Sequence, residues 1–238
     1  MKNYQYILFD ADDTLLDFQR CEREAFTASL TESGFGLDFE LCFNSYTTIN
    51  RALWLDYEQN KVTQTQLRSE RFRRLFTQLA IESDPEAFGA TYLRHFAAGS
   101  FLTPDALAVC DALKPKLHLS IITNGIGDVQ FSRISGSELK DHFKHIIVSD
   151  DVGSAKPAPE IFDYAMRKIG CEDKSQVLIV GDSLSSDIRG GHDYGIDTCW
   201  YNPGGLENQS GIVPTYEIAK LTDLLALAGS ETEAASKV

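Results

Sequence analysis

The chain has 238 residues and a formal charge of −13, with 43% apolar and 24% charged residues. That size accommodates one sizeable core, or a core with a smaller lobe. The acidity argues against nucleic-acid polymers and anionic membranes as partners, though not against a small phosphorylated ligand held by a local cation or a helix N-terminus. No apolar run approaches the roughly 18 residues of a membrane span. No signal peptide precedes the first strand, and five scattered cysteines (Cys21, Cys42, Cys110, Cys171, Cys199) without a C-x-x-C pair read as reduced thiols, so a cytoplasmic location is expected.

In chain order, residues 6–9 read as a buried strand that runs straight into Asp10-Ala11-Asp12-Asp13-Thr14. A block without β-rich runs follows, with helices expected at 18–33, 40–59, 65–80 and 85–98 from apolar residues at helical spacing, such as Leu67, Phe72, Leu75, Phe76 and Leu79. Thr63-Gln64-Thr65-Gln66 and Ser83-Asp84-Pro85-Glu86 carry helix-start chemistry. From Pro104 helices and strands alternate: helices at 105–113, 127–135, 139–143, 160–169 and 186–194, and strands at 119–123, 146–149, 176–181 and 198–201. The tail from Gly229 is small and polar and is expected to fray. The pattern predicts a doubly wound parallel α/β sheet with an inserted all-helical cap. The core takes residues 1–16 and 104–238, and the cap takes 17–103.

Four polar segments fall at four strand ends: Asp10-Ala11-Asp12-Asp13-Thr14, Thr123-Asn124-Gly125, Lys156-Pro157, and Gly181-Asp182 with Asp187. In open α/β sheets this edge binds ligands, and acids buried there need a cation. Toward a phosphate monoester the set divides into roles. One carboxylate attacks phosphorus, and a second, two residues on, moves the leaving group's proton. The Thr123 hydroxyl and backbone amides of Thr123-Asn124 hold phosphoryl oxygens, Lys156 offsets negative charge, and Asp182 with Asp187 completes a Mg²⁺ site.

These motifs resemble the haloacid dehalogenase superfamily of phosphohydrolases: D-x-D-x-T at Asp10, Asp12 and Thr14, a threonine at Thr123, K-P at Lys156-Pro157, and G-D-x-x-x-x-D at Gly181, Asp182 and Asp187. The resemblance implies Asp10 as nucleophile and metal ligand. It implies Asp12 as general acid/base, with its backbone carbonyl on the metal, Asp182 as a further ligand, and Asp187 beside the ligands. It also implies Mg²⁺ as cofactor, with Mn²⁺ as the alternative, and a helical C1 cap that excludes water. Asp13 stands where the family more often has glycine, and no catalytic role is assigned to it. Asp12 counts against a 2-haloacid dehalogenase, whose leaving halide needs no proton. Lys61, the sole lysine between Asp10 and Thr103, lies in a polar turn and does not suit a Schiff base.

Asp13, the run 49–57 and the ending Thr198-Cys199-Trp200-Tyr201-Asn202 look like the superfamily's nucleoside 5′-monophosphate phosphatases (5′-nucleotidases). That implies a small phosphorylated metabolite, a nucleoside monophosphate, as substrate. The alternatives are a phosphatase of sugar or other metabolite phosphates and a non-catalytic binding protein. Asn50, Trp54 and Tyr57 share a helical face and are candidates for substrate specificity, with Trp54 and Tyr57 serving either as cap core or as a base-stacking platform. Arg68, Arg71, Arg73 and Arg74 read as a solvated face, His142 and His145 as structural residues with no acid in register, and Cys21 and Cys42 as packing.

Overall fold

The computed structural model describes residues 3–59 and 61–228. Met1, Lys2, Asn60 and the tail expected to fray, 229–238, lie outside the described residues. The chain divides into two compact units, one built from the segments ending at Asp17, Leu102–Gly125 and the part from Ser137 on, the other from Phe18–Phe101 and Ile126–Gly136.

The first unit holds a six-stranded parallel sheet: β1 (Tyr6–Phe9), β2 (His118–Thr123), β3 (His145–Val148), β4 (Val177–Gly181), β5 (Asp197–Tyr201) and β6 (Tyr216–Ile218), in the order β3-β2-β1-β4-β5-β6. These strands are near-continuous apolar runs because a parallel sheet is covered on both faces. Leu8, Ile122, Ile147, Val177 and Ile179 pack on one face against Ile161, Phe162, Ala165 and Met166 of the helix Pro159–Ile169. The chain order reverses direction beside β1, which pairs with β2 on one side and β4 on the other. That switch point is where doubly wound sheets open a crevice at their C-terminal edge.

The second unit contains α1 (Phe18–Ser33), α2 (Phe39–Glu58), α3 (Gln64–Gln78), α4 (Pro85–Ala98) and the helix Gly127–Ser135. Helix α3 starts in a capping box: Thr63 Oγ1 accepts from Gln66 N, and Gln66 Oε1 accepts from Thr63 N at 2.8 Å. Helix α4 starts at Asp84, whose Oδ1 accepts from Glu86 N, with Pro85 in the first turn. The core is a cluster of rings. Phe26 lies 4.9 Å from Tyr46 and 5.9 Å from Phe88, and Phe72 lies 5.2 Å from Tyr92, centroid to centroid.

Several sequence expectations are corrected. Residues 139–143 are successive turns and not a helix; Ser137 Oγ captures the Leu139 amide, and the bonds Lys140 N to Ser137 O and His142 N to Leu139 O each span three residues. The helix at 186–194 starts earlier, as a wide turn over Leu184–Ile188 that continues into Arg189–Tyr194. The strand β6 and the short helices Ser149–Val152 and Leu224–Ala228 were not anticipated. The helix Gly127–Ser135, placed by its alternation in the sheet unit, joins the helical unit instead, where Arg133 Nε donates to Gly99 O and Ser132 Oγ to Ala97 O. His142 does have an acid partner: its Nε2 lies 2.7 Å from Asp111 Oδ1. Arg71, expected on a solvated face, is 3% exposed. Arg73 and Arg74 do lie at the surface, paired with Glu70.

Candidate active site

Asp10 follows β1 by one residue, and its amide extends the ladder to Val180 O of β4 at 2.8 Å. The chain then turns back at once: the Leu15 and Leu16 amides both donate to Ala11 O, and Asp13 N donates to Leu16 O. Closing so short a loop puts Asp13 in the left-handed region at φ 56°. Asparagine and aspartate tolerate that region better than other residues with a Cβ, and glycine tolerates it best. The residue that departs from the family pattern therefore occupies a backbone position that explains why glycine suits it.

Lys156 is the hub. Its side chain is 1% exposed, and its Nζ lies 2.6 Å from Asp10 Oδ1, 2.6 Å from Asp187 Oδ1 and 2.7 Å from Ile122 O. These three acceptors match the three N–H bonds of an ammonium. In this arrangement Lys156 acts by orienting Asp10 and balancing its charge. Asn124 grips the Lys156 loop from β2: its Nδ2 donates to Lys156 O and its Oδ1 accepts from Lys156 N, each at 2.8 Å. The Asn124 side chain thus positions the lysine loop, a role separate from the phosphoryl contact expected of the Thr123 hydroxyl and the Thr123-Asn124 backbone amides. Thr123 is buried at the end of β2.

The other acids come from beyond β4. Asp187 is fully buried; its Oδ1 meets Lys156, and its Oδ2 accepts from Ser183 N at 3.1 Å. Gly181 makes room for it, since a Cβ there would stand 2.2 Å from Asp187 Oδ2. The Trp200 indole of β5 donates to Asp182 O at 2.8 Å and steadies that loop. Asp10, Asp182 and Asp187 each place a carboxylate oxygen within 4.8 Å of the others. The Asp12 side chain, half-buried, is not in that group.

Three carboxylates and one ammonium leave net negative charge in a buried site. Burial, aided by Asp187 and Asp12 and opposed by Lys156, pushes the Asp10 pKa up to about 8. Asp182 is raised well above the ordinary carboxylate range, by burial first and then by Asp10, Asp187 and Asp13. For Lys156, burial alone would lower the pKa, but Asp10 and Asp187 outweigh it and the net shift is upward. A divalent cation would relieve this excess, and an all-oxygen donor set is the kind that Mg²⁺ takes. The residues present therefore fit Mg²⁺, with Asp10 and Asp182 the better ligands because both Asp187 oxygens are occupied by protein donors.

Sequence reasoning missed the clamp role of the Asn124 side chain, the Trp200 strut and the space requirement at Gly181. Of these, only the glycine before Asp182 left a local signal. In the helical unit Asn50 is buried, with its Nδ2 donating to Glu22 Oε1 at 2.9 Å. Trp54 and Tyr57 are half-buried and pack edge to face on each other, 5.7 Å apart.

A family model described as haloacid dehalogenase-like hydrolase matches residues 4–195. The chain is 38% identical to the HAD-hydrolase YfnB of Bacillus subtilis, over 94% of this chain and 95% of that one. A crystal structure of YfnB bound to magnesium superposes with a TM-score of 0.89, covering 96% of this chain and all of the other. The chain is also 36% identical to pyrimidine 5′-nucleotidase PynA of Streptococcus pneumoniae, over 93% and 94% of the two chains. It is 34% identical to pyrimidine 5′-nucleotidase YjjG of Escherichia coli, over 93% and 96%. With the four strand-end motifs gathered around Lys156, these matches establish that the chain belongs to the haloacid dehalogenase-like hydrolases.

Proposed function

We propose that the protein is a Mg²⁺-dependent phosphomonoesterase that hydrolyses nucleoside 5′-monophosphates, pyrimidine nucleotides among them, through an aspartyl phosphate on Asp10. The observation that carries the chemistry is the buried group of Asp10, Lys156, Asp182 and Asp187. The substrate class is supported by the two relatives named pyrimidine 5′-nucleotidases. Asp10 and Asp182 would hold Mg²⁺, or Mn²⁺ in its place, which would supply positive charge toward the Asp10 carboxylate and the phosphoryl group.

The remaining work falls to the chain. Lys156 holds Asp10 Oδ1 so that the carboxylate keeps one orientation toward phosphorus. Asp12 donates a proton to the leaving oxygen and later takes one from the attacking water. Thr123 and the Asn124 amide hold phosphoryl oxygens, and Asp187 keeps Lys156 in place. In this reading the helical unit serves as the cap and the substrate is a small phosphorylated metabolite. Among the described residues no helix is long and apolar enough to cross a membrane.

The test is hydrolysis of UMP, CMP, dUMP and ribose 5-phosphate with Mg²⁺ by wild type and Asp10→Asn. Nucleotides should be preferred over the sugar phosphate, and the variant should lose turnover on all four. Equal turnover by the two proteins would sink the enzyme reading, and a preference for ribose 5-phosphate would sink the nucleotidase reading alone.

A further inference from the structure

Within the sheet unit, Trp200 of β5 pairs in register with Gly181 of β4 and is 2% exposed. Residues in register on neighbouring parallel strands present their side chains to the same face. On that face the missing Cβ of Gly181 leaves the space that Asp187 takes, and the Trp200 ring packs with Leu184, Ile188 and Ile212. The indole Nε1–H donates to Asp182 O at 2.8 Å. One side chain therefore holds both ends of the segment 182–188, by a hydrogen bond at Asp182 and by apolar contact at Ile188.

That segment carries two of the three clustered acids. Asp182 turns its carboxylate toward Asp10, and Asp187 fixes Lys156, which in turn fixes Asp10. The apolar group around residue 200 could be filled by a phenyl ring or an aliphatic side chain, with no polar group to satisfy. An indole N–H buried there needs an acceptor, and the one it meets is the peptide carbonyl of the residue that also offers a metal ligand. This bond leaves both Asp182 carboxylate oxygens to other partners while it fixes the backbone that aims them. Mg²⁺ accepts only near-ideal octahedral geometry, so a ligand held in one orientation binds it more tightly than a ligand that samples several. Groups that orient a metal ligand commonly govern affinity in this way.

We propose that Trp200 is a positioning residue of the metal site, and that its hydrogen bond to Asp182 O sets how tightly the protein holds Mg²⁺. The assignment rests on the Mg²⁺ reading above. It gives a role to one residue of the run Thr198-Cys199-Trp200-Tyr201-Asn202, and that role lies in the metal site and not in base recognition.

The experiment titrates Mg²⁺ into the full chain by calorimetry, for wild type, Trp200→Phe and Ile212→Val, with urea unfolding of each. Trp200→Phe keeps a ring and loses the N–H, and Ile212→Val loosens the same apolar group without touching the bond. The Kd for Mg²⁺ should rise about 3- to 10-fold in Trp200→Phe and stay at the wild-type value in Ile212→Val, although both unfold at lower urea. Turnover of Trp200→Phe should climb with Mg²⁺ over a range shifted upward by the same factor. An unchanged Kd in Trp200→Phe, or an equal rise in Ile212→Val, overturns the assignment and leaves the metal reading standing. If wild type itself takes up no Mg²⁺, the metal reading fails and takes the assignment with it. If Trp200→Phe does not fold, Trp54→Phe with ¹⁵N-labelled tryptophan decides, because Trp200 then gives the one indole resonance. Mg²⁺ should shift that resonance with the midpoint seen in calorimetry, and the absence of a shift overturns the assignment.

Discussion

The sheet edge and the interior of the helical unit both bury charge, and they handle it in opposite ways. At the sheet edge, every N–H of Lys156 meets an acceptor, and the surplus lies on the acids Asp10, Asp182 and Asp187. In the helical unit the surplus lies on the donor side, at Arg71 Nε and Nη2, within a wall of aromatic rings. The first arrangement fits a cation, whereas the second is linked internally, from Arg71 through Asn50 to Glu22.

Removing the hub should have the largest effect. Lys156→Met leaves Asp10 and Asp187 facing each other without a counter-charge, and we expect a loss of about 3–5 kcal/mol of stability with loss of activity, read by urea unfolding and by turnover. In the helical unit, Phe26→Ala should cost a similar 3–5 kcal/mol from its ring-lined position. The comparison is sharpened if the folded fraction of Phe26→Ala still turns over p-nitrophenyl phosphate while Lys156→Met does not, and broken if both lose turnover alike. Gly181→Ala should follow, at about 1–3 kcal/mol, because its Cβ displaces the Asp187 carboxylate. Here kcat should fall more than the melting temperature suggests.

Proton linkage offers a gentler probe. With Asp10 raised to about 8 in the folded chain, the folded protein binds more protons than the unfolded one between the ordinary carboxylate range and pH 8. Metal-free stability should therefore fall as pH rises through that window. Mg²⁺ should release a proton on binding at pH 7, seen as a buffer-dependent heat in calorimetry, and should raise the melting temperature more at pH 8 than at pH 6. No proton release would mean that Asp10 is already ionised and that Lys156 alone suffices. The smallest effect belongs to Asp13→Gly, which relieves a left-handed residue and removes an acid near Asp182. We expect a gain of up to about 1 kcal/mol with turnover kept.

The helical unit illustrates why some of the molecule was hard to read. Apolar spacing in α1, α3 and α4 located the helices, because periodicity reports which face is buried. It said nothing of Glu22 and did not show that Asn50 and Arg71 are buried together, since a polar residue on a buried face looks in sequence like one at a helix boundary or a solvated flank. Arg71 was grouped with Arg68, Arg73 and Arg74 for that reason, although its neighbours in space are Phe72 and Tyr92. Residues 139–143 misled in the other direction: their composition permits a helix, but Ser137 bonds the Leu139 amide first.

What the sequence determined by itself was the order of the strands' polar ends: an acid pair after the first, a threonine after the second, a lysine and then two more acids. Strong local patterns carry this, because a buried parallel strand must be apolar throughout and its end alone tolerates charge. Only the tertiary structure decided how those groups are used: that Lys156 spends all three N–H bonds inside the protein, that Asn124 clamps its loop, and that Asp187 is held by Ser183 N across the space Gly181 leaves. These contacts join residues as far apart as Asp10 and Lys156. Hydrogen-bond geometry over such separations is set by the packing of the sheet, for which no short stretch of chain carries a signature.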